Sequence, residues 1–140
     1  MRVLIDTCVI LDVLQSREPF FRQGEQIFLA AANRRFSGFL TAKALTDLYY
    51  ILHKHTHSDS AARKTLEILL LLFDLLDTAG ADCKLALASG LADFEDAVMV
   101  ESAVRERMEG IVTRNLRDYA KAGLPVYSPG EFLEKMNAEM

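Results

Sequence analysis

Cysteine and proline are scarce in this sequence, and no segment has the composition of a linker. Its 140 residues include two cysteines and three prolines. Two cysteines are too few for a disulfide framework, so the sequence predicts a reduced, cytosolic protein. Because no stretch is rich in proline, glycine or serine, we expect residues 1–140 to form one globular domain.

Long apolar runs and an excess of positive charge are also missing. The most apolar segment, residues 66–76, is too short to span a membrane and contains Asp74. The N-terminal sequence MRVLIDTCVILDVL lacks the basic leader and cleavage site of a signal peptide, so we expect no export by that route. The net charge of -4 gives no sign of a large basic surface, although a local basic rim would still suit nucleic acid.

Strand-like and helix-like segments alternate along the whole chain. Short apolar runs predict strands at 2–6, 36–41, 73–77, 111–113 and 125–128. Helical periodicity predicts helices near 10–14 and at 20–33, 42–55, 58–72, 81–89, 93–108, 114–123 and 129–140. Ser58 or Asp59 would cap the fourth helix, and Pro129 suits the first turn of the last. The alternation predicts an α/β fold with a mainly parallel central sheet, covered by helices on both faces.

Polar side chains occur where these predicted strands end. In parallel sheets, ligands bind beyond the carboxyl ends of the strands. Asp6 ends the first strand, and Asp47 lies one and a half turns into the helix after the second. Four segments contribute such groups: Asp6, Asp47, Asp93 with Asp96, and Asn115 with Asp118. The sequence therefore predicts an acidic site assembled from distant parts of the chain.

The acidic segment DFED at 93–96 has two interpretations. Acidic side chains in the first turn of a helix oppose its macrodipole, and each stabilises the helix by about 0.3 to 1 kcal/mol. Asp93 would also cap the helix by accepting a hydrogen bond from a backbone amide. In this interpretation the carboxylates are structural. In the other, Asp96 and Asp93 tolerate each other because a cation lies between them and acidic partners from other segments.

Four motifs stand out: VLIDTCVILDVL, TAKALTDLYYIL, DFEDAVMVESA and IVTRNLRDY. They resemble those of the PIN-domain ribonucleases, specifically the VapC-type toxins of bacterial and archaeal toxin–antitoxin pairs. The family has an aspartate followed by Thr or Ser at the end of the first strand, an acid in an otherwise apolar helix, and two further acidic sites. The motifs occur here in that order, and the resemblance covers nearly the whole chain.

This resemblance implies a three-layer α/β/α PIN-like fold and an endonuclease that hydrolyses RNA phosphodiester bonds with Mg²⁺ or Mn²⁺. Such hard cations prefer oxygen ligands and stabilise the charge that develops on a scissile phosphate. The implied catalytic residues are Asp6, Asp47, Asp96 and Asp118, of which Asp6, Asp96 and Asp118 would be metal ligands. The implied supporting residues are Thr7, Asp93, Thr113 and Asn115. Lys43, Arg114 and Arg117 would either contact phosphates or, equally well, pair with local aspartates.

The resemblance also implies a cytoplasmic toxin that forms a homodimer and is silenced by a cognate antitoxin, a segment of which fills the acidic groove. Two positions depart from the family pattern. Asp47 stands where the family usually has the longer Glu, and Asn115 stands where it often has an acid. Because an amide oxygen is a weaker Mg²⁺ ligand than a carboxylate, we expect Asp118, one helical turn later, to supply the missing charge.

Two other functions remain as alternatives. A metal-dependent phosphatase or phosphoreceiver domain is disfavoured because the first strand ends in the single acid Asp6 rather than in an acidic pair. An RNA-binding module that lost catalysis through Asp47 and Asn115 would bind RNA without cutting it. No Ser–His or Cys–His pair occupies a position comparable to that of the acids.

Histidines, tyrosines and one further aspartate near the motifs have simpler interpretations. His53 and His57 share a helix face at a spacing that binds zinc, but no third ligand is evident, so we predict a surface or helix-end position. Tyr49 and Tyr50 are predicted to pack in the core or at a dimer face rather than to stack on bases. Asp12 is predicted to support the site indirectly or to lie on the surface.

Overall fold

Five short strands form one parallel sheet in the computed structural model, which describes residues 1–139. The strands are β1 (Arg2–Ile5), β2 (Ser37–Thr41), β3 (Asp74–Leu76), β4 (Gly110–Val112) and β5 (Val126–Tyr127). Their order is β3-β2-β1-β4-β5, and Leu4 of β1 lies opposite Phe39 of β2 and Ile111 of β4. Every pairing in this sheet is parallel, which confirms the prediction.

Seven α-helices and one 3₁₀ helix accompany the strands within residues 1–139, and the last α-helix follows the last strand. The helices are α1 (Thr7–Leu14), α2 (Phe21–Ala32), α3 (Ala42–Thr56), α4 (Asp59–Leu72), α5 (Gly80–Leu87), α6 (Phe94–Arg105) and α7 (Pro129–Ala138), with the 3₁₀ helix at Leu116–Tyr119. Ser58 caps α4 by accepting a hydrogen bond from the Ala61 N–H at 3.1 Å, and Pro129 opens α7. The predicted end of the last helix at Met140 lies outside the described residues.

Helices cover both faces of the sheet, which confirms the predicted three layers. Alternate residues of a strand point to opposite faces. Val3 and Ile5 pack in a core with residues of α1, α2 and α7, whereas Leu4 packs in a second core with residues of α6 and the 3₁₀ helix. All three side chains are fully buried, as expected for the central strand of a parallel sheet. Within residues 1–139, no helix combines the length and the apolar character needed to cross a membrane.

The segment after β4 differs from the prediction. The sequence predicts a helix over 114–123, but only Leu116–Tyr119 is helical, as a 3₁₀ turn. Asn115 has non-helical backbone angles, φ -98° and ψ 58°, and its N–H donates to the side-chain oxygen of Thr113 at 3.0 Å. Gly123 has a φ of 76°, which a right-handed helix does not contain. The prediction that Asn115 and Asp118 share one α-helical face is therefore wrong.

The carboxyl ends of β1 and β4 form a crevice at the sheet edge. From β1 the chain passes through α1 and α2 to β2 on one side, whereas β4 lies on the other side of β1. Strand connections that leave in opposite directions open a crevice at this point, where open α/β sheets bind their ligands. Asp6 directly follows β1 and Thr113 directly follows β4, so both residues lie at the crevice.

Candidate active site

Asp6 stands at the start of α1 but does not cap it. An aspartate in this position normally accepts a hydrogen bond from a backbone N–H of the first turn, and its side chain forms none here. Its Oδ2 instead accepts from the hydroxyls of Thr113 at 2.7 Å and Tyr119 at 3.3 Å, and from the thiol of Cys8 at 3.6 Å. Asp6 is 8% exposed. Within residues 1–139 its Oδ1 accepts no hydrogen bond, so this oxygen is open to a ligand.

Asp93 and Asp96 have different roles at the start of α6. Asp93 caps the helix, because its Oδ1 accepts from the backbone N–H of Asp96 at 2.9 Å. Asp96 is half-buried, and its Oδ1 accepts from the Tyr119 hydroxyl at 3.0 Å. No donor in the described part of the chain reaches Asp96 Oδ2. The structural interpretation therefore applies to Asp93, whereas Asp96 presents a second open oxygen.

Tyr119 connects the carboxylates of Asp6 and Asp96. Its side chain is buried, and its hydroxyl lies within hydrogen-bond distance of both groups. Burial and the charges of Asp6 and Asp96 raise the pKa of Tyr119, so the hydroxyl stays protonated and donates. The same logic applies to the neighbouring thiol: burial and the charge of Asp6 raise the pKa of Cys8 to about 11. The oxygens Asp6 Oδ2 and Asp96 Oδ1, which face the protein interior, therefore have uncharged hydrogen-bond donors as neighbours.

The Asp96 carboxyl ionises less readily than that of an ordinary aspartate. Burial raises its pKa from 3.8 to about 6, with further contributions from the charges of Asp93, Asp6 and Asp118, although the Tyr119 hydrogen bond acts in the opposite direction. Placing several carboxylates together therefore has an electrostatic cost, which a nearby cation would relieve.

This raised pKa predicts how the stability of the metal-free protein depends on pH. Well below pH 3.8, Asp96 is protonated in both the folded and the unfolded chain. Between pH 3.8 and 6 the unfolded chain releases the proton more readily, so the contribution of Asp96 to the free energy of unfolding falls as pH rises. We expect a loss of about 1 to 2 kcal/mol, allowing for partial solvent exposure. Urea unfolding in a chelator at pH 4 and pH 7 measures it, and equal differences between the parent and Asp96→Asn proteins at both pH values would contradict it.

Asp47 on α3 is paired with a lysine of the same helix. Its Oδ2 accepts from Lys43 Nζ at 2.6 Å, and the same Nζ lies 3.6 Å from Glu95 Oε1 on α6. The hydrogen bond to Asp47 raises the pKa of Lys43, so the ammonium group stays charged. Lys43 and Asp47 are 41% and 43% exposed in their side chains, which places the pair at the solvent-facing edge of the site.

A cleft of about 470 Å³ joins these groups. Within residues 1–139 its charged lining consists of four carboxylates and one ammonium group: Asp6, Asp47, Glu95 and Asp96, with Lys43. The hydroxyl-bearing residues that line it are Thr7, Thr41, Tyr50 and Thr78. Tyr119 is not among the lining residues, so its hydroxyl approaches the two carboxylates from the protein side. The excess of negative charge makes the cleft attractive to cations.

The residues of this cleft fit a hard divalent cation, although they do not form a ready-made cage. Among residues 1–139, no three His, Cys, Asp or Glu side chains are arranged to hold an ion together. Mg²⁺ requires less from the protein, because it keeps several waters and takes one or two carboxylates directly. The open oxygens of Asp6 and Asp96 meet that requirement, and relief of the repulsion at Asp96 would favour binding.

Comparison with known proteins identifies the family. A family model described as PIN domain matches residues 2–117, which is most of the chain. The chain belongs to the PIN domain family. No curated protein sequence matches it significantly.

Solved structures with the same fold include three toxin or toxin–antitoxin proteins. A toxin–antitoxin complex from Klebsiella pneumoniae is 22% identical, with a TM-score of 0.65 over 91% of this PIN domain chain and 97% of that chain. DNA-bound VapBC from Salmonella typhimurium is 17% identical, with a TM-score of 0.67 over 92% of this chain and 98% of that chain. The sarcin-ricin loop cleaving toxin VapC20 from Mycobacterium tuberculosis is 11% identical, with a TM-score of 0.65 over 87% of this chain and 95% of that chain. At these identities the likeness establishes the fold.

The remaining predicted residues of the PIN domain lie at different distances from the cleft. Thr7 lines it from the first turn of α1. Thr113 is fully buried and reaches the site through its hydrogen bond to Asp6. Asn115 and Asp118 are exposed and do not line the cleft, but the charge of Asp118 still contributes to the raised pKa of Asp96.

Arg114 pairs with a local aspartate and does not line the cleft. Its Nε donates to Asp12 Oδ2 at 2.5 Å and its Nη2 to Oδ1 at 3.1 Å, while its guanidinium lies 3.9 Å from the centre of the Phe20 ring. Asp12 lies on α1 and is buried, so its pair with Arg114 is a structural contact between α1 and the loop after β4. Of the two interpretations of Arg114, local pairing is confirmed. Arg117 is exposed and forms no ion pair within residues 1–139.

The histidines follow the prediction, whereas the tyrosines do not occupy the core. His53 and His57 are exposed, and His57 ends α3 with a left-handed φ of 56°. Tyr49 is half-buried, stacks on His53 and hydrogen-bonds to Asp59. Tyr50 is 66% exposed and lines the cleft.

Sequence reasoning missed Tyr119 and Glu95 as members of the site. Glu95 stands inside the acidic segment DFED, from which sequence reasoning selected only Asp93 and Asp96. Tyr119 stands within the fourth motif, IVTRNLRDY. A tyrosine among polar residues gives little indication in the sequence of a buried ring with a hydrogen-bonded hydroxyl. The α-helix expected over 114–123 did not predict this position of Tyr119 either.

Proposed function

We propose that this PIN domain is a Mg²⁺- or Mn²⁺-dependent endoribonuclease. One observation carries the proposal: Asp6 after β1 and Asp96 on α6 line the same cleft, and each has a carboxylate oxygen that accepts no hydrogen bond within residues 1–139. Mg²⁺ sites that act on phosphates use one or two carboxylates of this kind. Asp6 and Asp96 are the proposed central ligands. Asp118 supplies further negative charge, in preference to the neutral Asn115, and Asp47 completes the catalytic set.

Side chains of this protein would hold the metal-binding carboxylates and the RNA phosphate in position. When bound, the ion would supply an activated water and stabilise the charge on the scissile phosphate. Thr113 and Tyr119 hold the inner oxygens of Asp6 and Asp96. Lys43 places a positive charge beside the acids, where a phosphate of the bound strand would find a partner.

An antitoxin is the proposed protein partner. The neighbours of similar fold include toxin–antitoxin complexes, and the neighbour from Mycobacterium tuberculosis is a sarcin-ricin loop cleaving toxin. By analogy we assign this chain the role of a cytoplasmic toxin acting on RNA. A basic segment of the antitoxin would complement the four carboxylates of the cleft and block it.

A homodimer is the proposed assembly. Ile68 and Leu71 on α4 are 51% and 84% exposed, and Leu75 on β3 is 42% exposed. β3 is also a terminal strand of the sheet, with one edge unpaired within the described residues. Exposed apolar side chains beside a free sheet edge favour association with another chain.

The reaction is tested with a circular single-stranded RNA and a circular DNA of the same sequence, each incubated with purified protein and Mn²⁺. We expect the RNA circle to open by internal cleavage and the DNA circle to stay intact. Because a circle has no ends, opening shows endonuclease activity. The Asp96→Asn protein, purified in parallel, controls for contaminating nucleases. RNA that is bound but never cut would instead indicate a binding module, and cleavage of DNA alone would contradict the proposed substrate.

A further inference from the structure

We infer that Tyr119 is a positioning residue of the proposed metal site: its hydroxyl shares its one proton between Asp96 Oδ1, the nearer acceptor, and Asp6 Oδ2, and so directs the other oxygens of these carboxylates into the cleft. The inference rests on the proposed function, because it assigns a role within the same site. The observation behind it is a single hydroxyl 3.3 Å from Asp6 Oδ2 and 3.0 Å from Asp96 Oδ1.

The hydroxyl lies behind the carboxylates rather than in the place of a cation. Tyr119 is 1% exposed and does not line the cleft, whereas Asp6 and Asp96 both do. Since a carboxylate is planar, a hydrogen bond to one oxygen restricts rotation of the group and sets the direction of the other. Groups that orient metal ligands in this manner influence affinity without contacting the ion.

The two carboxylates depend on Tyr119 to different degrees. Asp6 Oδ2 also accepts hydrogen bonds from Thr113 and Cys8. Asp96 Oδ1 has Tyr119 as its side-chain donor, and no second donor reaches it within residues 1–139. Removal of the hydroxyl would therefore release Asp96 while Thr113 continues to hold Asp6. This asymmetry predicts weakened binding of the ion rather than its abolition.

Tyr119→Phe is the direct test, because it removes the hydroxyl and keeps the buried ring. The readout is the affinity for Mn²⁺, measured from the electron paramagnetic resonance signal of the free ion. We expect Tyr119→Phe to bind Mn²⁺ about 10- to 100-fold more weakly than the parent. At saturating Mn²⁺ it should regain most of the RNA cleavage rate, which Asp96→Asn should not. Tyr127→Phe is the matched control, because the Tyr127 hydroxyl forms no hydrogen bond within residues 1–139, and its affinity should equal that of the parent.

A second measurement on the unmodified protein keeps the inference testable if Tyr119→Phe does not fold. The hydrogen-bonded Tyr119 hydroxyl proton should give a slowly exchanging nuclear magnetic resonance signal that persists when Mg²⁺ is added. Loss of this signal on Mg²⁺ binding would show that the ion displaces the hydroxyl and would overturn the positioning role.

The outcomes separate this inference from the proposed function. A folded Tyr119→Phe protein that binds Mn²⁺ as tightly as the parent, or more tightly, overturns the positioning role and leaves the proposed function intact. A parent protein that binds no Mn²⁺ overturns both.

Discussion

We expect Asp96→Asn to lower the rate of RNA cleavage by about 100- to 1000-fold while the protein stays folded. Asparagine keeps the shape of the side chain and can still accept the Tyr119 hydrogen bond. Its outward-facing group is then the amide NH2, which carries no negative charge and, as a hydrogen-bond donor, cannot serve as a ligand for Mg²⁺. Initial cleavage rates at equal Mg²⁺ concentration measure the effect, and circular dichroism confirms the fold.

Two neighbouring substitutions serve as graded controls. Asn115 is exposed and forms no side-chain hydrogen bond within residues 1–139, so Asn115→Ala should cleave RNA nearly as fast as the parent. Asp118→Asn removes a charge that acts on Asp96, so its rate should lie between the other two. If folded Asp96→Asn protein cleaves like the parent, Asp96 is only a residue of the helix start.

Lys43 places a positive charge beside two of the four acids that line the cleft. Lys43 Nζ lies 2.6 Å from Asp47 and 3.6 Å from Glu95, so these two acids already share a positive charge from the chain. Within residues 1–139 neither Asp6 nor Asp96 forms an ion pair, and the pKa of Asp96 is raised by burial and further by the charges of Asp93, Asp6 and Asp118. The unbalanced negative charge of the cleft is therefore concentrated at Asp6 and Asp96, which is the reason to centre the proposed ion there.

The strands and the location of the cleft were predictable because they follow from local patterns. The apolar run at 2–6 gave a buried central strand, and the rule that ligands bind beyond strand ends selected Asp6. The acidic start of α6 selected Asp96 in the same way. Asp6 lines the cleft because it follows a strand of the parallel sheet, and Asp96 lines it because α6, which leads back to β4, begins at the same edge of the sheet.

The hydrogen bonds that organise the cleft were not predictable, since they join residues far apart in sequence. Tyr119 and Asp6 are separated by 113 positions, and Arg114 and Asp12 by 102. The periodic pattern of apolar residues along the chain carries no information about such contacts. The expected α-helix at 114–123 failed for a different, local reason: the Thr113 side chain accepts a hydrogen bond from the Asn115 N–H, and the backbone of Asn115 lies outside the helical region.

Removal and return of the metal test the central claim most directly. The protein is dialysed against a chelator, its cleavage of single-stranded RNA is measured, and Mg²⁺ or Mn²⁺ is then added in excess. Because the clustered carboxylates can neither activate water nor neutralise a phosphate without a cation, we expect cleavage to fall to the level of the Asp96→Asn protein in the chelator. Addition of either ion should restore it. Undiminished cleavage in the chelator would contradict the account.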